Sequence, residues 1–294
     1  MTAWRRCVGT AVLTTVLVAV TSACSPAVTR TGPTPSSSAS AQPQVGSIAV
    51  IGDSISLGVA ACGAAEACTA ASWAIGTDPA VDSIASRVAE QTGSAPRTEA
   101  LARPGVRIAD AESALSSLAH SDADLVLVLV GANDACTASV DTVTPVADFA
   151  DSYAALLTGV STALPEARIV ALSLPDLLQL WQLGRTDPAT VEAWDRSPSC
   201  RSLLQSAASD ESDDVERRAA IADLVTAYDD AIAGACAATP TCTYDQGAVH
   251  AARFDSADVS SVDRFHPSVQ GQSKLAAAAW PTVAAAIDPA APAD

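Results

Sequence analysis

Three short stretches carry side chains that could cooperate in nucleophilic chemistry: Gly52-Asp53-Ser54 near the start, Gly131-Ala132-Asn133-Asp134 in the middle, and Asp263-Arg264-Phe265-His266-Pro267 near the end. A serine hydroxyl is a poor nucleophile until a base takes its proton, and histidine is the side chain whose ordinary pKa suits that task near neutrality. The chain has three histidines. His120 sits beside Ser121 and Asp122 after a predicted helix, and His250 lies in an irregular segment without a motif; His266, ahead of Pro267 and a helix, is the candidate base. Asp263, three residues earlier, can reach round a turn to the other imidazole nitrogen, hold its tautomer and stabilise the imidazolium. Each piece alone has a plainer role. Gly-Asp-Ser is a common connection, Asn133 suits a turn or cap after a strand, and Asp263 could cap a helix beside a surface histidine.

The elements that must position these residues follow from hydrophobic periodicity. An unbroken apolar run over 47–51 predicts a strand buried on both faces, with Ser54 at its carboxyl end, where open α/β sheets keep their ligands. Residues 58–77, with a cysteine loop and Trp73, read as an insertion, and Asp78-Pro79 as the opening of a helix to about residue 92. A short strand over 98–101, the Arg103-Pro104-Gly105 turn and a helix over 108–118 come next. The strongest strand signal, Leu125-Val126-Leu127-Val128-Leu129-Val130, runs directly into Gly131 and Asn133. Helices over about 146–164, 215–237 and from Pro267 to about 287 enclose a strand over 168–174 and an extended segment near 241–244. Strands alternating with helices predict an α/β domain with a parallel sheet covered on both faces. No internal repeat is present.

With these blocks in this order, the chain resembles the SGNH hydrolases, also called GDSL esterases and lipases, over residues 46–287. Gly52-Asp53-Ser54 matches the first block of that family, Gly105 can supply the second, Gly131-Ala132-Asn133-Asp134 matches the third, and Asp263-Arg264-Phe265-His266 the fifth. The resemblance implies a three-layer α/β/α fold around a mainly parallel, flavodoxin-like sheet, and a serine esterase or lipase working through an acyl-enzyme on Ser54. It implies Ser54, His266 and Asp263 as the catalytic residues, and an oxyanion hole made by the backbone N–H of Ser54, the N–H of Gly105 and the side chain of Asn133. It implies neither cofactor nor metal. Asp53 and Asp134 are expected to brace loops. An α/β-hydrolase would carry Gly-x-Ser-x-Gly, but Ser56 stands in the place of the second glycine. The alternatives are an O-deacetylase of cell-wall sugars on the same fold and a non-catalytic binding module. The segment 177–214, with Leu177, Leu178, Leu180, Trp181, Leu183 and Trp194, reads equally as a packing flap or an acyl-binding wall.

Arg5, Arg6, an apolar run over residues 8–20 and small residues up to Cys24 predict an export leader over 1–23, since the run is short of the roughly twenty apolar residues that span a bilayer. Val20-Thr21-Ser22-Ala23-Cys24 resembles a lipobox, which would lipidate Cys24; Thr21 stands where Leu, Val or Ile is usual, so ordinary signal-peptidase cleavage is the alternative. Residues 24–45, rich in Ser, Thr, Pro and Ala, form a tether, and 288–294 a flexible tail. The formal charge of −17, more negative once Arg5 and Arg6 are removed, excludes nucleic acid and limits membrane contact to the lipid anchor. An extracytoplasmic monomer acting on an acyl ester is expected. Past Cys24 an even six cysteines remain, a disulfide pattern that allows fifteen pairings. Cys62 with Cys68 and Cys236 with Cys242 share a five-residue gap, which leaves Cys136 with Cys200. A zinc site is the rival reading, and no pair has its ligand spacing.

Overall fold

The computed structural model describes residues 45–288; the expected leader, Cys24, the tether up to residue 44 and the tail from residue 289 lie outside them. The chain alternates strands and helices as β1 (Ser47–Gly52), α1 (Ile84–Thr92), β2 (Arg97–Ala102), α2 (Ile108–Ala111), α3 (Leu115–Leu118), β3 (Leu125–Leu129), α4 (Ala132–Ala135), α5 (Val146–Ala163) and β4 (Arg168–Ala171). It continues through α6 (Leu177–Gly184), α7 (Pro188–Arg196), α8 (Arg201–Leu204), α9 (Ser212–Ala237), β5 (Cys242–Tyr244), α10 (Ala248–Ala251) and α11 (Val269–Ile287). All five strands are parallel, in the order β2-β1-β3-β4-β5. Every residue of β1 and β3 is buried, which their continuous apolar runs require of strands inside a parallel sheet.

One face of the sheet is covered by α2, α3, α5 and α9, the other by α1 and α11. In α5 the buried positions Phe149, Tyr153, Leu156, Leu157 and Val160 recur at helical spacing and meet α9, where the Tyr228 ring stacks on Phe149 at 4.0 Å between centroids. Among the described residues no helix is long and apolar enough to cross a membrane.

Three expected boundaries shift for local reasons. The helix expected from Asp78-Pro79 begins only at Ile84: the Asp78 side chain caps a turn through Ala80 N–H, Asp82 takes φ +50°, and Ser83 is the true cap, accepting from Ser86 N–H. The helix over 108–118 tightens into a 3₁₀ turn at Glu112–Ala114, where the Ser113 hydroxyl donates back to the Asp110 carbonyl. The strand expected over 168–174 ends at Ala171 because Ser173 N–H and Leu174 N–H leave the ladder for the carboxylates of Asp245 and Asp229. The structure joins Cys62 to Cys68, Cys136 to Cys200 and Cys236 to Cys242.

Candidate active site

The strand order reverses direction between β1 and β3, and the crevice beyond the carboxyl ends of such a pair is where open α/β sheets place ligands. Ser54 follows β1 by two residues and Asn133 follows β3 by four, so both stand at that switch point. The approach is tight. A Cβ on Gly52 would lie 2.3 Å from Ser56 Oγ and 2.9 Å from the Leu129 carbonyl, and one on Gly131, at φ +133°, would lie 2.8 Å from the Phe149 ring. Only glycine lets each strand turn sharply enough to present the residues that follow.

His266 arrives from the loop before α11. Its Nε2 is 2.9 Å from Ser54 Oγ, and its Nδ1 is 2.6 Å from Asp263 Oδ2. The other Asp263 oxygen accepts from the backbone N–H groups of Phe265 and His266, and the Phe265 ring stands edge-on to the imidazole at 4.9 Å. Burial acts to raise the Asp263 carboxyl, but the hydrogen bond and charge of His266, with the two backbone N–H groups, outweigh it and hold it below its ordinary range. It is therefore ionised near neutral pH. The loop is pinned at both ends: Ser260 N–H donates to the His266 carbonyl, the Ser260 hydroxyl donates to the Ala60 carbonyl, and Trp194 Nε1–H donates to the carbonyl of Arg264, which has φ +59°.

Asn133 Nδ2 donates to Asp53 Oδ2 and to the Val106 carbonyl, each at 3.1 Å, so both its N–H groups are engaged. Asp53, buried beneath the serine, also accepts from Ile55 N–H, and burial pushes its carboxyl up to about 6. Asp134 accepts from Ile108 N–H and the Thr144 hydroxyl. Both aspartates thus hold loops together, as their types and positions indicated. Gly105, at φ +75° beside Val106, is not among the residues lining the cleft, whereas Ser54 and Asn133 are. His120 is exposed, and His250 lies on α10 with Nδ1 2.8 Å from Asp229 Oδ2; neither lines the cleft.

The cleft in front of Ser54, open to solvent, spans about 720 Å³ and is walled by Ile55, Leu177, Leu180, Leu183, Phe254 and Phe265. The segment 177–214 both lines the cleft and packs on the core. Leu177, Leu180 and Leu183 face the cleft, while Leu178 and Trp181 pack against the core, with the Trp181 indole N–H on the Ala207 carbonyl. Trp194, a candidate for the same wall, sits under the histidine loop instead. Sequence reasoning missed Gln272 and Gln179. Gln272, fully buried on α11, donates to the Ile55 carbonyl and accepts from Trp73 N–H. Gln179 ties α6 to the Ala252 carbonyl and to Phe254 N–H.

Chemically, the serine, histidine and aspartate form a hydrogen-bonded line at the floor of an apolar cleft, an arrangement able to activate the serine hydroxyl as a nucleophile, with the backbone and an amide side chain nearby. Residues 50–274 match the model of the GDSL-like Lipase/Acylhydrolase family. No curated protein matches the chain. Among solved structures, the crystal structure of TesA is similar in fold at a TM-score of 0.52 and 18% identity, over 82% of this chain and 99% of that one. A psychrotrophic esterase, EstA from Pseudoalteromonas sp., is similar at 0.47 and 15%, over 81% and 97%. A Clostridium thermocellum family 3 carbohydrate esterase follows at 0.48 and 14%, over 84% and 98%.

Proposed function

The chain belongs to the GDSL-like lipase/acylhydrolase family, and from that premise we propose that it hydrolyses carboxylic esters carrying an apolar acyl group, through an acyl-enzyme on Ser54. The observation that carries this reading is the line from Asp263 Oδ2 through His266 to Ser54 Oγ, with separations of 2.6 and 2.9 Å, opening into an apolar cleft. His266 Nε2 takes the Ser54 proton as the oxygen attacks the ester carbonyl, and the C=O electron pair moves onto the carbonyl oxygen. Collapse of that intermediate expels the alcohol, which receives the proton from His266 and leaves the acyl group on Ser54. Water, deprotonated by the same nitrogen, then releases the acid and restores the hydroxyl. The developing oxyanion is met by the Ser54 N–H and by Asn133, whose amide must share a hydrogen with it that Asp53 or Val106 holds at rest. Gly105, which the family resemblance offers as a third donor, stands outside the cleft lining, so this reading rests on the Ser54 N–H and Asn133.

The apolar wall favours an acyl chain over an acetylated sugar, and residues 46–287 act as the catalytic domain. Three disulfides support an oxidising, extracytoplasmic setting. Lipidation of Cys24 and a monomeric state complete the proposal, and mass spectrometry of the mature N-terminus checks the anchor. Purified enzyme should hydrolyse chromogenic acyl esters faster than an acetylated glycan and should react with a fluorophosphonate probe. Ser54→Ala should lose both activities while melting as the wild type does. A variant that keeps most of its turnover would sink the serine mechanism.

A further inference from the structure

The cleft in front of Ser54 is not the last empty space on that side of the molecule. A second pocket, itself open to solvent and spanning about 400 Å³, adjoins it, and the two share three lining residues, Leu180, Leu183 and Val259. Leu180 and Leu183 stand three positions apart on α6, hence on one face of the helix, and each is half-buried with space on both sides. Beyond them lie Trp194, Thr190 and Asp187. Their polar atoms are already spent inside the protein: the indole N–H on Arg264, the threonine hydroxyl on Asp187, and the aspartate on the first turn of α7. Ser256 and Arg264 stand at the rim of this second pocket, and the part beside the partition is the buried Trp194 ring and branched aliphatic carbon.

We propose that Leu180 and Leu183 are specificity-determining residues: they close the acyl end of the cleft and fix the length of chain accepted, with the second pocket as room that opens to the chain only when the partition is cut. This rests on the ester-hydrolase reading above. An aliphatic chain attached at Ser54 and lying along the apolar wall meets these two side chains. Beyond that point each further methylene has to stay in water or displace leucine carbon, whereas each methylene that gains a dry site strengthens binding about fourfold. Leucine to alanine removes three carbons from the partition and joins the two spaces.

The test is the ratio of kcat/KM for p-nitrophenyl dodecanoate to that for p-nitrophenyl butanoate, a ratio in which any loss of folded enzyme cancels. Leu183→Ala and Leu180→Ala should each raise it by about tenfold or more, and Leu183→Trp, which thickens the partition, should lower it. Leu183→Val serves as a milder excision if an alanine variant does not fold. In parallel, calorimetry measures binding of the free dodecanoic and butanoic acids to Ser54→Ala with and without Leu183→Ala, which needs no turnover. Tighter dodecanoate binding in the double variant supports the partition; equal binding overturns it. An unchanged ratio in every folded variant also overturns it, as does a change that follows the alcohol part when glyceryl butanoate replaces the p-nitrophenyl ester. If the wild type cleaves no ester at all, the catalytic reading fails on its own, and the binding comparison still decides the partition.

Discussion

Asp263 spends its two oxygens differently: one shapes the turn through Phe265 and His266 N–H, and the other faces the imidazole. Asparagine at this position can keep the first pair of bonds but puts an N–H against Nδ1, which drives the histidine proton onto Nε2, where it blocks acceptance from Ser54. Asp263→Asn should therefore lower kcat by about a hundredfold or more, and His266→Ala by more again, with little change in melting for either. Wild-type single-turnover rates in Asp263→Asn would mean that the carboxylate only shapes the turn and that Ser54 and His266 act as a pair. Asp53 leaves a different signature. Its carboxyl, pushed up by burial to about 6, holds a proton in the folded state that the unfolded chain has released above its ordinary value of 3.8. Between those values the folded state binds more protons, so this residue makes stability fall as pH rises from about 4 to 6, by about 3 kcal/mol at most. Urea unfolding across that window should show the Asp53→Asn variant gaining on the wild type as pH rises. A difference that does not vary with pH would refute the assignment.

At the scale of elements, α11 does more than cover the sheet. The loop at its N-terminus carries His266, and one turn inside, Gln272 grips the carbonyl next after Ser54 and the N–H of Trp73. The Ser54 turn and the histidine loop therefore share one rigid support. Gln272→Leu preserves bulk but strands two buried backbone groups, at about 1–3 kcal/mol each, and frees the turn to shift. It should reduce kcat about tenfold or more with KM nearly unchanged, while Gln272→Glu, which can still accept from Trp73, should lose less. Equal losses in kcat and in folded fraction would reduce Gln272 to a stability role. Strand ends, a run of alternating elements and the compact Asp263–His266 spacing are local, so the fold and the three side chains that meet at Ser54 were legible from neighbouring residues alone. Gln272 was not, because a glutamine inside a helix looks like a surface residue until its partners, roughly 200 positions away, are known. The Asp53–Asn133 bond and the two-sided placement of Leu180 and Leu183 are hidden for the same reason. The misplaced start of α1 is a local competition instead: Asp78 and Ser83 are both good caps, and the left-handed Asp82 decides for the second.

Across the whole molecule, the three disulfides do unequal work. Cys62–Cys68 and Cys236–Cys242 each close a separation of 6 residues, whereas Cys136–Cys200 closes 64 and joins the segment after β3 to the start of α8. Chain-entropy reasoning puts the long loop at about 4 kcal/mol of stabilisation and each short one at about 2. The long bridge also has a functional place. Cys136 lines the cleft, and around it Ser202 exchanges hydrogen bonds with Ala135 and Thr137, so α8 and the cleft wall leading into it are clamped to the strand end that carries Asn133. Removing the bridge should loosen the wall while leaving Ser54, His266 and Asp263 on their own supports. The Cys136→Ala/Cys200→Ala variant should lose about twice the unfolding free energy of Cys62→Ala/Cys68→Ala in urea titrations. Its KM for a long-chain ester should rise several-fold while kcat holds within about a factor of three. A kcat that collapses at unchanged KM would show that the bridge supports the reacting groups themselves, and the division between a rigid relay and a separately clamped acyl wall would have to be abandoned.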